Sequence, residues 1–508
     1  MYHSKHYRTM KRLLYSTLII AALSLFLSSC NEDWLDTVPT DQVGSADAFT
    51  TTGKALGALN GIHRSMYFQW ANQGEAGEAS MNINRDMLGE DLVMTSSGNG
   101  WYNTTYQWAA HRSETASVDY FPWRMYYRIT ANANMIINNI DNAVGPQSEK
   151  DMIKGQALTY RAWCHFNLVQ LYGKRYVAGA TNNQPGVPIM LTNTVEGLPR
   201  STVEEVYAQV IEDLDAAILL LDGYNRPNKS HLNVNVAKGI KARVALTMQN
   251  WPLAATLAAE ARTGINLMTT SEYTAGFNNY GNREWMWGST VVPDQTTYFY
   301  SFFAYMSRNF SSTNIRGNPK AINTLLYNNP IFTATDVRKA NFDPTGLHAT
   351  LNPPLPSTFT KKPYTSQKFI AAGQADSRGD VVYMRAAEMY LIEAEAYARM
   401  GGHDTEAQDA LNDLREARET VPANYVASTN TGQALIDEIM LNRRLELWGE
   451  GFRFTDLKRL NEPVDRTGAN HQVSLCVVTS IPAGDVRWEW LIPKQELDAN
   501  KQMVQNDL

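Results

Sequence analysis

The chain has 508 residues, 44% of them hydrophobic, with a formal net charge of −6. Length and composition supply a large core within the ordinary globular range. An acidic balance without long basic runs argues against nucleic acid as a partner, and three cysteines with no CxxC or Cys/His spacing argue against a disulfide framework or a zinc site.

The first segment reads as a leader. Lys11 and Arg12 precede an apolar run over 13–26 and then Leu27-Ser28-Ser29-Cys30, a basic flank, a short apolar stretch and small residues in the order of a secretory signal. Cysteine directly after Leu-Ser-Ser resembles a bacterial lipobox, which implies cleavage before Cys30 and acylation of it; an ordinary signal peptide cut nearby is the alternative. Met10 opens MKRLLYS and offers a second start besides Met1. Beyond Cys30 no second long apolar run occurs, so the expectation is a chain anchored to a membrane and not spanning it. Asn31-Glu32-Asp33 resembles an acidic tag for surface export, and Trp34-Leu35-Asp36 with Pro39 reads as a tether.

Leu56, Leu59 and Ile62 keep helical spacing and predict a helix over 53–67. Over 70–119 the periodicity fails and Gly, Asn, Ser and Thr dominate, which predicts a surface loop. Helices are expected near Pro122 and over 151–172. Ser201 and Thr202, followed by Glu204 and Glu205, predict a capped helix whose Val203, Val206, Val210 and Leu214 form one apolar stripe. Alanine-rich segments over 236–248 and 253–262 predict a close helix pair. Regular pattern is lost again over 267–380, a long insertion rich in Trp, Tyr and Phe, and loops of that length are usually functional.

The segment 385–401 is helical and nearly apolar all round, with Glu388, Glu395 and Arg399 as its narrow wet strip and Glu393 on a dry side. Thr405 and Gln408 are expected to cap a partner helix. Over 435–460, Ile436, Ile439, Met440, Arg443 and Leu447 share one face, with Glu446 within reach of Arg443 on the same helix. Gly449 and Gly451 end that helix and a second amphipathic piece follows. Glu393 and Arg443, opposite charges on apolar faces, are expected to share a buried ion pair.

The run Arg443-Arg444-x-Glu446-Leu447-x-x-Glu450-Gly451-x-Arg453-x-x-Asp456-Leu457-x-Arg459 resembles the C-terminal signature of the SusD/RagB family of surface lipoproteins, with Asn442 where a glutamate is expected. Arg161-Ala162, Leu171-Tyr172-Gly173, Leu198-Pro199-Arg200-Ser201-Thr202, Trp490-x-x-Pro493 and Gln505-Asn506 fit the same pattern in order, so the resemblance covers the chain from Cys30 to Leu508. It implies an all-α fold of tetratricopeptide-like helix pairs carrying a loop-rich, aromatic-rich insertion, with residues 1–29 as lipoprotein signal peptide and 30–508 as one domain. It implies capture of a nutrient oligosaccharide at the outer membrane and its transfer to a SusC-like TonB-dependent transporter. Peptide capture on the same fold is the alternative.

No Walker loop, HExxH, GxSxG or nucleotide-binding glycine fingerprint occurs, so no cofactor is expected and an enzyme, such as a glycosidase, is disfavoured. Asp86, Glu90 and Asp91 are the acids not placed on periodic helices, and a solvated or loop-bracing role is expected of them. Cys164 and His165 diverge by about 100° on one helix and read as packing residues. The informative constellation is aromatic. A sugar offers apolar C–H faces to a ring and hydroxyls to amides. Trp101, Tyr102 and Asn103 in one loop, and Trp285, Trp287, Tyr298 and Tyr300 in the other, are the candidate ligand residues, with Asn99, Asn278, Asn279, Asn282 and Gln295 as nearby amides. The two loops are expected to meet on one face.

Overall fold

A computed structural model describes residues 48–295 and 299–508. The leader, Cys30, the tether and Tyr298 lie outside the described residues.

Thr51 caps α1 (Thr52–Ser65), whose Ala55, Leu59 and Ile62 are buried. Next comes α2 (Gly77–Leu88), followed by strand β1 (Leu92–Met94). The scaffold proper continues with α3 (Ser117–Asn139), α4 (Gln147–Tyr172), α5 (Val203–Leu220), α6 (Val234–Thr247) and α7 (Trp251–Ala261). α3 packs beside α1, and from α4 onward each helix packs beside the one before it. The expected capping box is formed, with Thr202 accepting from the Glu205 N–H and Glu205 from that of Thr202, and Val203, Val206, Val210 and Leu214 are buried below it. Small residues set the helix spacing. A Cβ on Gly155 of α4 would sit 2.7 Å from Leu221 Cγ, and the buried face of α7 is Ala254, Ala255, Ala258 and Ala261 with Leu257.

The insertion carries short strands, β2 (Trp285–Ser289), β3 (Lys320–Ile322), β4 (Phe342–Asp343), β5 (Thr365–Ser366) and β6 (Val381–Arg385). One small antiparallel sheet runs β1-β3-β5-β4, with Val93 opposite Ala321, and β2 pairs with β6. The chain then returns to helices: α8 (Ala386–Met400), α9 (Asp404–Ala417), α10 (Gly432–Glu446) and α11 (Arg453–Leu460). α8 packs against α7, α9 and α10. The main apolar core is contiguous from Ala55 to Met503, so helices and insertion share one interior.

Several expectations need correction. The stretch 70–119 is not a surface loop: it contains α2, every residue of which is buried. A helix enclosed on all sides has no wet face, so it shows no period. Its polar groups are met within the helix and from outside, Arg85 donating to Glu78 of α2 at 2.6 Å, to Tyr126 Oη at 2.8 Å and to Asn167 at 2.7 Å. On α8 the proposed wet strip is dry: Glu388 is 1% and Glu395 0% exposed, paired with Arg243 and Arg459 respectively. Glu393 pairs with Arg262 of the loop after α7, and Arg443 with Asp456 of α11, so the expected Glu393–Arg443 pair does not exist. Glu446 likewise binds Arg385 and Arg418 and not Arg443. No side-chain cap opens α9.

Candidate functional site

The C-terminal signature is the knot that joins helices to insertion. Gly449 and Gly451 take φ of +80° and +86°, and a Cβ on Gly451 would lie 2.5 Å from the Asn82 Cα, so the turn between α10 and α11 rests directly on the α2 backbone. Arg385 donates to Glu284 at 2.7 Å, Glu446 at 2.6 Å and Glu450 at 2.8 Å, while Arg418 bridges Glu284 and Glu446 at 2.8 and 3.0 Å. Burial would raise the Glu446 carboxyl, but Arg418, Arg385 and Arg338 outweigh it and hold it below its usual range. Arg338 also donates to Asn442 Oδ1 at 2.9 Å, so the residue that departs from the family pattern still has a place in the network. Glu90 and Asp91 pair with Arg453 and Arg444, and Asp86 accepts the Gly451 N–H at 3.1 Å. These acids brace the loop as expected. All three are buried, and Glu90 and Asp91 are each occupied by an arginine, which leaves no free pair of acids for general acid–base work among them.

The aromatic face lies elsewhere. Trp70 N–H donates to the Glu75 carbonyl, closing a short turn, and Gly74 at its tip faces the Trp101 ring, which a Cβ there would approach to 3.1 Å. Trp101 meets Tyr305 edge-on at 5.9 Å, and Tyr102 meets the same ring at 5.1 Å. Tyr305 is buried and donates to the Gln73 carbonyl at 3.2 Å, so it ties the insertion to this turn. Asn103 Nδ2 donates to the Ser97 carbonyl and shapes the Trp101 loop. Trp101 and Tyr300 are half-buried and Phe299 is 41% exposed. Beside them Tyr67 donates to Gln295 Oε1 at 3.2 Å, and Trp70 stands half-exposed with Phe68 at 5.0 Å. Segments 67–76 and 98–103 therefore converge on Tyr305, with Gln295 beside Tyr67, which brings half-exposed rings near an amide.

Two candidate residues do not belong there. Trp285 and Trp287 are each 1% exposed, on β2. Trp287 packs among Trp163, Tyr160 and Tyr383 at 5.0–6.0 Å and has no face left for a sugar. A strand buried on both faces shows no alternation, which is why Trp-Met-Trp-Gly-Ser reads as irregular. Tyr102 is nearly enclosed at 7% exposure and Trp108 is buried. Among the amides, Asn278 donates to the Ile370 carbonyl and accepts the Asp380 N–H, and Asn282 accepts the Glu284 N–H, so both are structural. Trp70, Tyr67 and Tyr305 were not singled out by any spacing. For Trp70 and Tyr305 the one signal is aromatic content in stretches without period, while Tyr67 ends the helix expected over 53–67.

The architecture is thus a helical scaffold whose loops bring half-exposed rings together near an amide. A family model described as "SusD family" matches residues 256–508, and one described as "Starch-binding associating with outer membrane" matches residues 63–246. The chain belongs to the SusD/RagB family, and its predominantly helical, tetratricopeptide-like fold is that family's. Among curated relatives, SusD-like protein P2 of Formosa agariphila is 23% identical over 96% of this chain and 97% of its own. SusD-like protein P38 of the same organism is 39% identical, but over 94 residues, 18% of each chain. Among solved structures, a SusD-like carbohydrate binding protein from Bacteroides vulgatus superposes with a TM-score of 0.77 at 27% identity, covering 91% of this chain and 99% of that one.

Proposed function

We propose that the protein captures a glycan without chemically altering it and passes it to a SusC-like TonB-dependent transporter, acting as one unit from Cys30 onward and held at the outer-membrane surface by acylation of that cysteine. The observation that carries the reading is the meeting of the Trp101 loop with the Trp70–Glu75 turn and Tyr305, near the Tyr67–Gln295 pair, because ring faces and an amide together match the apolar and hydroxyl sides of a sugar. The carbohydrate-binding relative of the same fold supports it. Anchoring rests on the Leu-Ser-Ser-Cys30 run alone. The test is binding of the full mature chain to a glycan array and, in parallel, to a peptide library. Binding to a defined glycan structure is expected, and binding confined to peptides contradicts the reading.

A further inference from the structure

Between α1 and α3, next to the rings, lies a groove of about 510 Å³. Phe49, Phe68 and Met135 form its apolar side and Arg64, Arg128 and Asn132 its polar side. No acidic residue lines it among the described residues. Arg124, one turn before Arg128, pairs with Glu75 at 2.5 Å. Neither groove arginine has such a partner among the described residues. Arg128 is exposed and lies over the Trp70 ring at 5.6 Å. Arg64 lies over Tyr67 at 5.0 Å, its Nη2 reaches the Gln295 carbonyl at 3.5 Å, and its Nη1 has no hydrogen-bond partner. Stacking fixes a guanidinium plane while leaving its N–H donors available, and a guanidinium fork matches the two oxygens of a carboxylate or sulfate. The arginines of the C-terminal knot are paired with acids, whereas these two guanidiniums line one aromatic-walled groove with no acid in its lining.

We propose that this groove binds the anionic group of the captured glycan, a uronate carboxylate or a sulfate ester, with Arg64 and Arg128 as donors. The ligand is then an acidic oligosaccharide that stacks at Trp101, crosses Trp70 and ends between the two arginines. The turn that carries Trp70, over which Arg128 lies, also carries Gly74, against which Trp101 rests, so one turn links Trp101 to the groove. This rests on glycan capture as proposed above and adds the class of glycan.

The experiment titrates the full mature chain with three oligosaccharide sets of equal length: oligogalacturonate, sulfated galactan and neutral galactan. It is run at about 50 and about 300 mM NaCl, so that screening is varied. At low salt one acidic set binds roughly ten-fold tighter than the neutral one, and the advantage shrinks with salt. Arg64→Gln and Arg128→Gln each remove about ten-fold from acidic binding and leave neutral binding within about two-fold. Which acidic set responds distinguishes carboxylate from sulfate. Arg128 is exposed, so its variant is expected to keep the wild-type melting temperature, and binding loss then reads contact and not folding. Neutral binding as tight as acidic, or arginine variants that bind acidic sets unchanged, overturns the inference and leaves glycan capture standing. Absence of binding to all three sets, and to the wider glycan array, overturns both.

Discussion

Asp86 shows how one buried side chain carries a pH dependence. It is 5% exposed and accepts the Gly451 N–H, and burial, reinforced by the neighbouring charge of Asp91, pushes its carboxyl up to about 7. An unfolded aspartate titrates near 4, so between about 4 and 7 the folded chain binds the extra proton. The stability it contributes is complete below about 4 and is lost as pH rises through about 7. Asp86→Asn keeps the acceptor and removes the charge. Thermal melts should show it more stable than wild type at pH 8 and nearly equal at pH 4; equal shifts at both would contradict the burial argument. The tryptophans divide in the same physical way. Trp287, enclosed by three rings, should cost about 3–5 kcal/mol on replacement by alanine, measured by denaturant unfolding. Trp101, half-exposed, should cost much less.

At the scale of elements, the turn from α10 to α11 carries the argument. Its signature residues were legible as a motif, and the glycine-ended helix and the amphipathic piece after it are present. Partner choice was not legible. Spacing shows which residues share a helix face, but Glu446 meets Arg385 and Arg418 from segments 61 and 28 positions away, and no local pattern encodes that. The same holds for α8, where Glu388 and Glu395 look like a wet strip only because the arginines that dry them, Arg243 and Arg459, come from α6 and α11. Breaking a buried pair strands the remaining charge at about 3–5 kcal/mol. Glu446→Gln leaves Arg385, Arg418 and Arg338 short of an anion and should lower the unfolding midpoint sharply, whereas Lys154→Met, which breaks the more exposed pair with Asp141, should barely move it. Similar small shifts in both would mean that the knot is not what holds insertion to helices.

Over the whole molecule, motifs far apart in sequence prove to be one clasp. Trp490 N–H donates to the Leu171 carbonyl, Asn506 Nδ2 to the carbonyls of Tyr172 and Trp490, and Arg200 to the Tyr172 carbonyl and Asn506 Oδ1. That explains why weak motifs in a fixed order identified the fold: those at Leu171–Gly173, Arg200, Trp490 and Asn506 are pieces of the same contact, while Arg161 pairs separately with Asp213. Most of the helix pairs were legible because they keep one wet face, and α8 because its apolar run is nearly unbroken, whereas α2 and β2 are enclosed and carry polar or irregular sequence. Of the candidate ligand residues, Trp101 and Tyr300 stay half-exposed while Trp285 and Trp287 are interior, since composition locates rings without saying which side of the surface they take. Anchoring is tested at this scale too. Cys30→Ala should release the protein from the outer-membrane fraction, and unchanged recovery with the membrane would remove the lipid anchor from the account. The central claim is that the converging loops bind a glycan, and its most direct measurement is calorimetric titration of the best array ligand into wild type and Trp101→Ala. A stacked ring contributes about 1–3 kcal/mol on the scale known for bases, so the account predicts binding weakened by roughly ten-fold or more, with a melting temperature within a few degrees of wild type. Unchanged affinity in a folded Trp101→Ala protein would contradict it.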